Sequence, residues 1–401
     1  MLELIQNGGI TSPKGYISGA ISAGLKTEIG ALDLAILYSE KLANLASVFT
    51  TNKIESPSVT LSRKRSASYK SHGVVANSGC ANCAVGSHGY SDAEEMTSLA
   101  ANIFNIEPEK MLICSTGKIG VELPMALIRQ NINKIILTEE GGEDFSKAIM
   151  TTDTYHKQFA VCIEIDEIKV TIGGTAKGSG MIHPNMATML GFITTDANIE
   201  YNFFQESLVK AVSLSFNMID VDGDQSTNDT VLAFANGASG STNITRDSVY
   251  AEQFQEALSY VCVELAKSLV IDGEGAQTLI EVEVKGAKSF VDAAKASRGI
   301  ASSNLVKSMV YGKDPNWGRI MMALGKTGVE LIEEKIDIFI NDIHIVHEGK
   351  AIPYFNEAVL GAMKTEKVVF TISLNLGEAV ATSWGCDLTE EYVVFNSAYT
   401  T

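Results

Sequence analysis

The chain has 401 residues, 45% of them hydrophobic and 20% charged, and this ordinary globular composition excludes a disordered or fibrous protein. That length is too great for one small core and predicts two domains or one large intertwined domain. The net charge of −17, with no dense cluster among the 31 basic residues, argues against nucleic acid as a partner. No apolar run is long enough to span a bilayer, and no basic segment precedes an apolar run at the start. We therefore expect a cytoplasmic protein without a membrane partner.

The first hundred residues hold the densest basic run and one closely spaced cysteine pair. The run "SRKRS", residues 62–66, is too short for a nucleic-acid footprint, and we expect a surface loop there. Cys80 and Cys83, in "CANC", have the spacing of zinc ligands, but such a site needs a second pair and the sequence has none. We therefore predict no metal site, and we expect all six cysteines to be reduced and in or near a core.

Helical and strand patterns are interleaved along the chain. Ser91 followed by Glu94 has the pattern of a capping box, which predicts the start of a helix. Residues 250–273 carry apolar side chains at helical spacing and end in a glycine, which predicts a long helix. Residues 335–349 and 367–377 alternate between apolar and polar, as strands with one buried face do. These elements predict a mixed α/β fold, while nothing in the composition marks a domain boundary.

Two segments resemble nucleotide or calcium loops but lack residues that those loops require. The segment "LGKTG", residues 324–328, contains the Gly-Lys-Thr of a phosphate loop, but Ile320 stands where the loop needs glycine. The aspartates of "DVDGDQSTNDT", residues 220–230, alternate as in a calcium loop. The sixth position is Gln225 and the twelfth is Val231, where glycine and glutamate are needed. The sequence therefore favours neither kind of site.

His344 and His347, with Glu348 beside them, have side chains that can ligate a metal. Residues three apart on a strand point to opposite faces, so we interpret these histidines as surface side chains rather than ligands. The sequence also lacks the G-x-S-x-G motif, which excludes the usual nucleophile elbow of α/β-hydrolases.

The stretch "AKGSGMIHPNMATML", residues 176–190, combines small residues and a proline with a Met-Ala-Thr-Met segment. The four glycines between residues 173 and 180 predict a flexible, backbone-exposing loop. A threonine hydroxyl is a weak nucleophile, but at the start of a chain the free α-amino group, with an ordinary pKa of about 7.7–8.0, acts as its base. An internal threonine can expose that amine by attacking the preceding carbonyl, after which water hydrolyses the ester. We therefore hypothesise that the Ala187–Thr188 bond is cut and that Thr188 becomes a nucleophile.

The same stretch, followed by "GFITTDA", resembles the self-cleavage motif of the ornithine acetyltransferase family, also called glutamate N-acetyltransferases or bifunctional arginine-biosynthesis proteins. Other blocks resemble this family in the same order, over essentially the whole chain. They are "GGITSPKGY", "ASVFTTNKIESPSV", "VVANSGCANCAVG", "CSTGKIGVELPM", "MTTDT", "VDGDQSTNDT", "DGEGA", "DPNWGRIMMALG" and "FNSAYTT". Two positions depart from the family pattern: Cys80 replaces the first interior Asn of "NSGNAN", and Lys118 stands where an apolar residue is expected. These departures bear on substrate detail more than on mechanism.

The resemblance implies roles for individual residues. Thr188 is implied as the nucleophile, Ala187–Thr188 as the cleaved bond, and Thr116 with Gly117 as the oxyanion-hole pair. Such a turn can offer a hydroxyl and an N–H group to a developing negative charge. The implied substrate-binding positions are Thr152, Lys177, Thr188, Glu274, Asn396 and Thr401. The charges of Lys177 and Glu274 suit the carboxylate and ammonium of an α-amino acid, in an order that the sequence leaves open. The last six residues are then expected to be docked against the site.

The family resemblance also implies a fold, an assembly and a reaction. It implies the mixed α/β fold of a self-processing, N-terminal-threonine acyltransferase, cut into an alpha chain, 1–187, and a beta chain, 188–401. The fragments would stay associated, as a pair of heterodimers. The acetyl group of N2-acetylornithine would pass to glutamate through acetyl-Thr188 without metal or organic cofactor, and some members also accept acetyl-CoA. Two alternatives stay open: an amidohydrolase or aminopeptidase of related fold, in which water takes the acyl group, and a non-catalytic amino-acid-binding protein.

Overall fold

Residues 2–183 and 189–398 are described by the computed structural model, and they form two β-sheets with helices packed on them. Before residue 184 the elements are β1 (Glu3–Leu4), β2 (Tyr16–Ile21), β3 (Leu34–Phe49), α1 (Pro57–Ser66), β4 (Lys70–Asn77), α2 (His88–Ile103), β5 (Met111–Ser115), α3 (Met125–Asn131), α4 (Gly142–Ala148), β6 (Lys157–Ile165) and β7 (Ile168–Lys177). From residue 189 onward they are β8 (Leu190–Thr195), α5 (Tyr201–Leu214), β9 (Ile219–Asp220), β10 (Thr230–Ala235), α6 (Ala251–Ile271), β11 (Leu279–Ala287), α7 (Phe290–Ala301), α8 (Asn304–Tyr311), α9 (Trp317–Gly325), β12 (Asp337–Ile340), β13 (Ile343–His347), β14 (Lys350–Ala351), α10 (Asn356–Ala362), β15 (Lys367–Ser373), β16 (Ala379–Cys386) and α11 (Glu390–Ala398). Short 3-10 helices cover Pro108–Lys110, Ile132–Lys134, Phe216–Met218 and Glu333–Lys335. Ala187, Thr188 and Thr401, with the predictions made for them, lie outside the described residues.

The larger sheet has nine strands within the described ranges, in the order β1-β6-β7-β8-β10-β3-β4-β5, with β2 also paired to β3. The long strand β3 joins the two parts of the sheet, because it pairs with β2 and β4 on one stretch and with β10 on another. Strand β8 lies between antiparallel β7 and parallel β10, with Leu190 opposite both Lys177 and Thr230. The start of β8 therefore lies inside the sheet, between strands from both sides of the predicted cleavage bond.

Alternating side chains of this sheet are buried in two different hydrophobic cores. Leu190 and Phe192 of β8 pack in one cluster, which includes Phe145 of α4. Ile193 packs in another cluster, which includes Leu265 of α6. A strand that is buried on both faces needs apolar or small residues throughout, and all six residues of "LGFITT" are buried.

The second sheet has seven strands in the part of the chain that the structure describes, in the order β14-β13-β12-β15-β11-β16-β9. The core cluster that buries α6 continues into this sheet, since Val282 of β11 and Phe370 of β15 belong to it. Strand β9 pairs with β16 through Ile219 and Asp220, so the "VDGD" segment begins at this sheet edge. The shared cluster thus links the two sheets across α6.

The expectation of a mixed α/β fold is confirmed, and so are its clearest elements. The predicted long helix is α6, which ends at Ile271, and segments 335–349 and 367–377 contain β12, β13 and β15. All six cysteines are free and buried, as expected. Among the described helices, none combines the length and the apolar character needed to cross a bilayer.

Two predictions about the first helices of the chain are wrong. Helix α2 begins at His88, after Ser87, and Ser91 lies inside it, with its Oγ donating to the His88 carbonyl. A serine within a helix can bond a backbone carbonyl one turn earlier, and here that bond replaces the expected cap. The basic run 62–66 is not a loop but the last part of α1, where cations interact favourably with the negative end of the helix dipole.

The glycines before residue 181 do not form one flexible loop, contrary to expectation. Gly173 and Gly174 lie within β7. A Cβ atom at Gly174 would approach Ile193 Cδ1 to 2.7 Å, and one at Gly173 would collide with a neighbouring backbone carbonyl. These two glycines therefore permit close packing within the sheet. Gly178 and Gly180 follow the strand and border the cavity described below.

The expectation that His344 and His347 point to opposite faces of a strand is also wrong. Both lie on β13, but the register of β13 against β12 shifts between Ile338 and Phe339, and this bulge breaks the alternation. The two rings lie 5.3 Å apart between centroids, and both approach Asp337.

Candidate active site

A cavity of about 150 Å³ opens where the ends of β5, β7 and α6 approach one another. It is lined by every predicted site residue that the structure describes: Thr116, Gly117, Thr152, Lys177, Glu274 and Asn396. These residues lie far apart in the chain, at strand ends, in loops and on the last helix. Met189 and Leu190 line the same cavity, so the residues that follow position 188 form part of its wall.

Lys177, at the end of β7, brings a buried cation to this cavity. Its Nζ donates to the Thr151 hydroxyl at 2.8 Å and to the Thr116 hydroxyl at 3.3 Å. Burial lowers the pKa of the Lys177 ammonium, while the nearby Asp153 carboxylate acts in the opposite direction. A cation that donates to the Thr116 oxygen polarises that hydroxyl, so the two groups together can stabilise negative charge at one wall.

A buried ionic network lies behind Lys177. Lys157 Nζ contacts Asp153 Oδ1 at 2.7 Å and Asp272 Oδ2 at 2.6 Å, and these three side chains are almost completely buried. The same Asp153 oxygen accepts from the Gly178 N–H at 2.7 Å. Burial by itself raises the pKa of Asp153, but Lys157 and Lys177 outweigh it and hold that pKa below its ordinary value. The ionised Asp153 therefore fixes the backbone next to Lys177 and balances its charge.

The turn after β5 presents Thr116 and Gly117 to the cavity. The Thr116 N–H donates to the Asn77 carbonyl at 3.0 Å, at the end of β4. Gly117 has a φ of +124°, which favours glycine, and a Cβ atom there would lie 2.7 Å from the Cys80 nitrogen. The turn is thus closely packed against the "NSGCAN" segment, which holds its hydroxyl and backbone in a fixed position.

Glu274 and Asn396 form an acidic part of the cavity wall. Asn396 Nδ2, on α11, donates to Glu274 Oε2 at 2.8 Å, and the Glu274 N–H donates to the Ser179 carbonyl at 2.8 Å. Gly180 lies against this carboxylate, and a Cβ atom at that position would collide with it. Thr152 Oγ1 is hydrogen-bonded to Ser179 Oγ at 2.6 Å. Helix α11 therefore packs its last described turns against the cavity.

Sequence reasoning missed the carboxylate that holds the chain shortly before residue 184. Asp222 accepts from the N–H groups of Met181, at 2.6 Å, and Ile182, at 2.9 Å, and the Tyr392 hydroxyl donates to it at 3.3 Å. Burial raises the pKa of Asp222, although backbone N–H groups that donate to it oppose the rise. The segment resembles both a calcium loop and a family block, and its place among the family blocks was the signal that could have found this residue.

His183, the last described residue before position 184, was missed as well. Its Nδ1 lies 2.8 Å from Asp220 Oδ1, and the buried Lys307 Nζ contacts Asp220 Oδ2 at 3.1 Å. Burial raises the pKa of Asp220, but Lys307 and His183 outweigh that effect and hold the pKa below its ordinary value. The segment that enters the predicted cleavage site is thus anchored to a buried ion pair.

The two positions that depart from the family pattern lie together beside the site. Cys80 forms backbone bridges with Thr116 and Lys118. Cys80 and Lys118 line a neighbouring cavity of about 610 Å³, which shares Gly117 and Thr151 with the first. Burial raises the pKa of the Cys80 thiol. Both departures therefore change the second cavity rather than the described lining of the first.

Comparison with known proteins identifies the family. A model of the ArgJ family matches residues 18–401. The chain belongs to the ArgJ family. Arginine biosynthesis bifunctional protein ArgJ of Dehalococcoides mccartyi (strain CBDB1) is 44% identical over 401 residues, covering 100% of this chain and 99% of that protein. The ArgJ protein of Symbiobacterium thermophilum is 46% identical over 397 residues, covering 98% and 99% respectively. This ArgJ-family chain is therefore an acetyltransferase of arginine biosynthesis, and the resemblance inferred from its motifs is confirmed.

A solved structure agrees with this assignment. The crystal structure of arginine biosynthesis bifunctional protein ArgJ from Bacillus halodurans matches with a TM-score of 0.52 and 40% identity, covering 53% of this chain and 100% of the crystal chain. The ArgJ-family fold is thus shared over about half of this chain. The crystal structure of ornithine acetyltransferase from Mycobacterium tuberculosis matches with a TM-score of 0.43 and 29% identity, covering 47% of this chain and 100% of that chain.

Proposed function

We propose that this ArgJ-family enzyme transfers the acetyl group of N2-acetylornithine to glutamate through an acetyl ester on Thr188. The observation that carries the proposal is the cavity that brings Thr116, Gly117 and Lys177 together with Glu274 at the start of β8. The relatives of this chain are named bifunctional proteins of arginine biosynthesis, and these names support a reaction of that pathway at this site.

The proposed reaction consists of two acyl transfers. The α-amino group of Thr188 takes the hydroxyl proton while the oxygen attacks the acetyl carbonyl of N2-acetylornithine. The bond from the carbonyl carbon to the ornithine nitrogen breaks, and that nitrogen takes the proton. The glutamate amine then attacks the ester carbonyl, the bond to the Thr188 oxygen breaks, and the oxygen regains a proton. The acetyl group moves from one amine to another, so the chemistry calls for no metal and no organic cofactor.

Thr116 and Gly117 are the proposed donors to the oxyanion that forms in each transfer. The Lys177 ammonium donates to Thr116 Oγ1 at 3.3 Å, so the Thr116 hydroxyl proton is available to point into the cavity. Charge interactions in a buried site are stronger than in water, so a hydroxyl backed by a cation stabilises developing negative charge. Gly117 contributes its backbone next to that hydroxyl.

Recognition of an α-amino acid needs a cation for a carboxylate and an anion for an ammonium group. Lys177 and Glu274 supply one of each on the same cavity. The Glu274 carboxylate is oriented by Asn396, and Thr152 adds a hydroxyl near it. This combination supports N2-acetylornithine, which carries a carboxylate and a side-chain ammonium, as the donor, and it favours glutamate over water as the acyl acceptor.

We further propose that the chain cuts itself after Ala187, leaving fragments of 187 and 214 residues out of 401. Strand β7, before the cut, pairs with strand β8, after the cut. The pairing runs from Ile172 opposite Thr195 to Lys177 opposite Leu190, so the two fragments would stay joined by one sheet. The crystal chain of the Bacillus halodurans relative corresponds to 53% of this chain, the same share that residues 188–401 represent. This agreement supports processing, and a pair of such heterodimers is the proposed assembly.

Product analysis tests the proposed transfer. Enzyme, N2-acetylornithine and isotope-labelled glutamate are expected to give ornithine and labelled N-acetylglutamate in equal amounts, with parallel lines in double-reciprocal plots. Acetate in place of N-acetylglutamate would overturn the proposal, because water would then be the acceptor. Thr188→Ala is expected to abolish transfer, whereas Thr188→Ser, which keeps a hydroxyl, is the matched control. Replacing N2-acetylornithine with acetyl-CoA tests a second proposed donor, which the family resemblance of the sequence implies.

A further inference from the structure

Asp337, His344 and His347 form a cluster of potential metal ligands on the β12–β13 hairpin. Their ligand atoms, Asp337 Oδ1, His344 Nε2 and His347 Nδ1, all lie within 4.8 Å of one another. None of the three is among the described residues that line the candidate active site. The cluster is therefore separate from the proposed acetyl transfer.

A β-bulge creates this cluster. His344 lies opposite Phe339 and Val346 lies opposite Ile338, so one extra residue is inserted in β13 between the two pairs. A regular strand would direct His344 and His347 to opposite faces. A bulge changes the direction of the side chains that follow it. Here it brings the imidazole rings of His344 and His347 close to the same carboxylate, that of Asp337.

Neighbouring groups orient the carboxylate from outside the cluster. Asn375 Nδ2 donates to Asp337 Oδ2 at 3.1 Å and also to the Lys335 carbonyl at 2.8 Å. The Glu348 N–H donates to Asp337 Oδ1 at 3.1 Å. Metal-ligating carboxylates are commonly held by hydrogen bonds of this kind, which fix their orientation toward the ion.

The ring of His344 is also held in place, and one of its nitrogens lacks a partner. The ring stacks on Phe339 with 4.2 Å between centroids. Its Nε2 atom is buried and makes no hydrogen bond to any residue that the structure describes, although the side chain as a whole is 32% exposed. A buried polar atom without a partner is unfavourable, and a metal ion would satisfy its lone pair.

We propose that Asp337, His344 and His347 bind a divalent transition-metal ion such as zinc. Zinc takes nitrogen and oxygen ligands at about 2.0–2.2 Å in a tetrahedron, which places neighbouring ligand atoms about 3.4 Å apart. Asp337 Oδ1 lies 2.8 Å from His347 Nδ1 and 3.7 Å from His344 Nε2. Movements of about 0.6 and 0.3 Å bring these two distances to the tetrahedral value. Water completes the fourth position.

The bound ion would join β12 to both ends of the bulged part of β13, where the regular strand ladder is interrupted. An ion that binds the folded chain but has no preformed site in the unfolded chain stabilises the fold. Zinc is therefore expected to raise the melting temperature and to leave acetyl transfer unchanged, since the candidate active site lies elsewhere.

Zinc titration of the untagged enzyme, with both proposed fragments present, tests the proposal. After removal of metal with EDTA and dialysis, calorimetry at mildly alkaline pH is expected to show one zinc ion per chain. Asp337→Asn and His344→Ala are expected to lower zinc affinity at least about tenfold, and Asn375→Ala, which does not touch the ion, about 10–100-fold. His88→Ala removes an exposed histidine on α2 and serves as the control, with unchanged affinity.

Melting curves without zinc show whether each variant folds. The proposal is overturned if the wild-type chain gains no thermal stability from zinc, or if Asp337→Asn and His344→Ala bind zinc as tightly as the wild type. The hydrogen bond between His347 and Asp337 would then be the whole role of the cluster. Acetyl transfer by the wild-type chain is measured separately, with and without zinc. A failure of zinc binding therefore leaves the proposed acetyl transfer untouched, and a failure of acetyl transfer leaves the zinc proposal untouched.

Discussion

Lys177, the last residue of β7, pairs with Leu190, the first residue of β8, in antiparallel register. The buried cation of the candidate site therefore lies beside the strand that begins two residues after Thr188. Strand β8 also pairs with β10 along its full length. A cut between residues 187 and 188 would thus leave the strand that follows the nucleophile held on both sides.

Replacing Lys177 with Met is expected to lower kcat/KM for acetyl transfer about 10²–10³-fold. The substitution removes the ammonium that donates to Thr116 Oγ1 at 3.3 Å but keeps a long, apolar side chain in the cavity wall. Steady-state kinetics measure the effect, and the melting temperature checks the fold. Lys210→Met, at an exposed position on α5, is the control. Wild-type kcat/KM in Lys177→Met would contradict the role assigned to this cation.

Glu274→Gln is expected to raise KM for N2-acetylornithine about 10–100-fold, because a hydrogen bond to a charged group is lost. The Gln oxygen can still accept from Asn396, so the change removes charge more than shape. Initial rates over a range of substrate concentrations separate KM from kcat. Glu264→Gln, which alters a partly exposed pair with Lys267 on α6, is the matched control. An unchanged KM in the Glu274 variant would exclude this carboxylate from substrate binding.

Asp153→Asn is expected to lower the free energy of unfolding by about 3–5 kcal/mol at neutral pH, because it removes the carboxylate that balances Lys177 and one of the two buried carboxylates that contact Lys157. Burial raises the pKa of Asp153, yet the two lysines hold it below the ordinary value of about 3.9. Its stabilisation is therefore complete above about pH 4 and is lost as pH falls through the lower, folded pKa.

Denaturant titrations of wild type and Asp153→Asn at neutral and acidic pH measure this effect. The difference in stability should shrink on acidification, since Asn does not titrate. Glu143→Gln breaks an exposed pair with Lys147 and should change stability by less than about 1 kcal/mol. A difference that stays constant into acid would show that the carboxylate charge is not what stabilises the fold.

Asp222→Ala is expected to slow conversion of the precursor about tenfold or more, because it frees the backbone at Met181 and Ile182. Freshly synthesised chain can be followed by denaturing gel electrophoresis over time. Asp247→Ala, at an exposed position outside the cavity, should process at the wild-type rate. Equal rates for the two variants would mean that the anchor at Asp222 has no part in processing.

The elements that could be predicted are those whose pattern is local. Helix α6 shows its 3.6-residue periodicity directly, and β12 and β15 show alternation, because one face of each packs on a core. The order of the strands could not be predicted in this way, since pairing depends on residues that are distant in the chain. The bulge that turns His344 toward His347 is one example, because it can be seen only in the register of β13 against β12.

The candidate site shows the same limit. Motifs pointed to Thr116, Lys177 and Glu274 one by one, but only the fold brings them to one cavity. The buried contacts of Lys157 with Asp153 and Asp272 were not foreseen, because an ion pair between residues 157 and 272 leaves no local pattern. Gly173 and Gly174 were expected to be flexible but lie in a tightly packed strand. The atoms that pack against them come from distant parts of the chain, so no local pattern could predict the packing.

Intact-mass spectrometry of the purified wild-type enzyme is the most direct test of the central claim, that cleavage exposes Thr188 and that Thr188 carries the acetyl group. We predict two chains, of 187 and 214 residues, with one acetyl group added to the longer chain after brief exposure to N2-acetylornithine. Thr188→Ala should give one uncut, unacetylated chain of 401 residues. A fully active wild-type preparation that consists of a single 401-residue chain would contradict the claim.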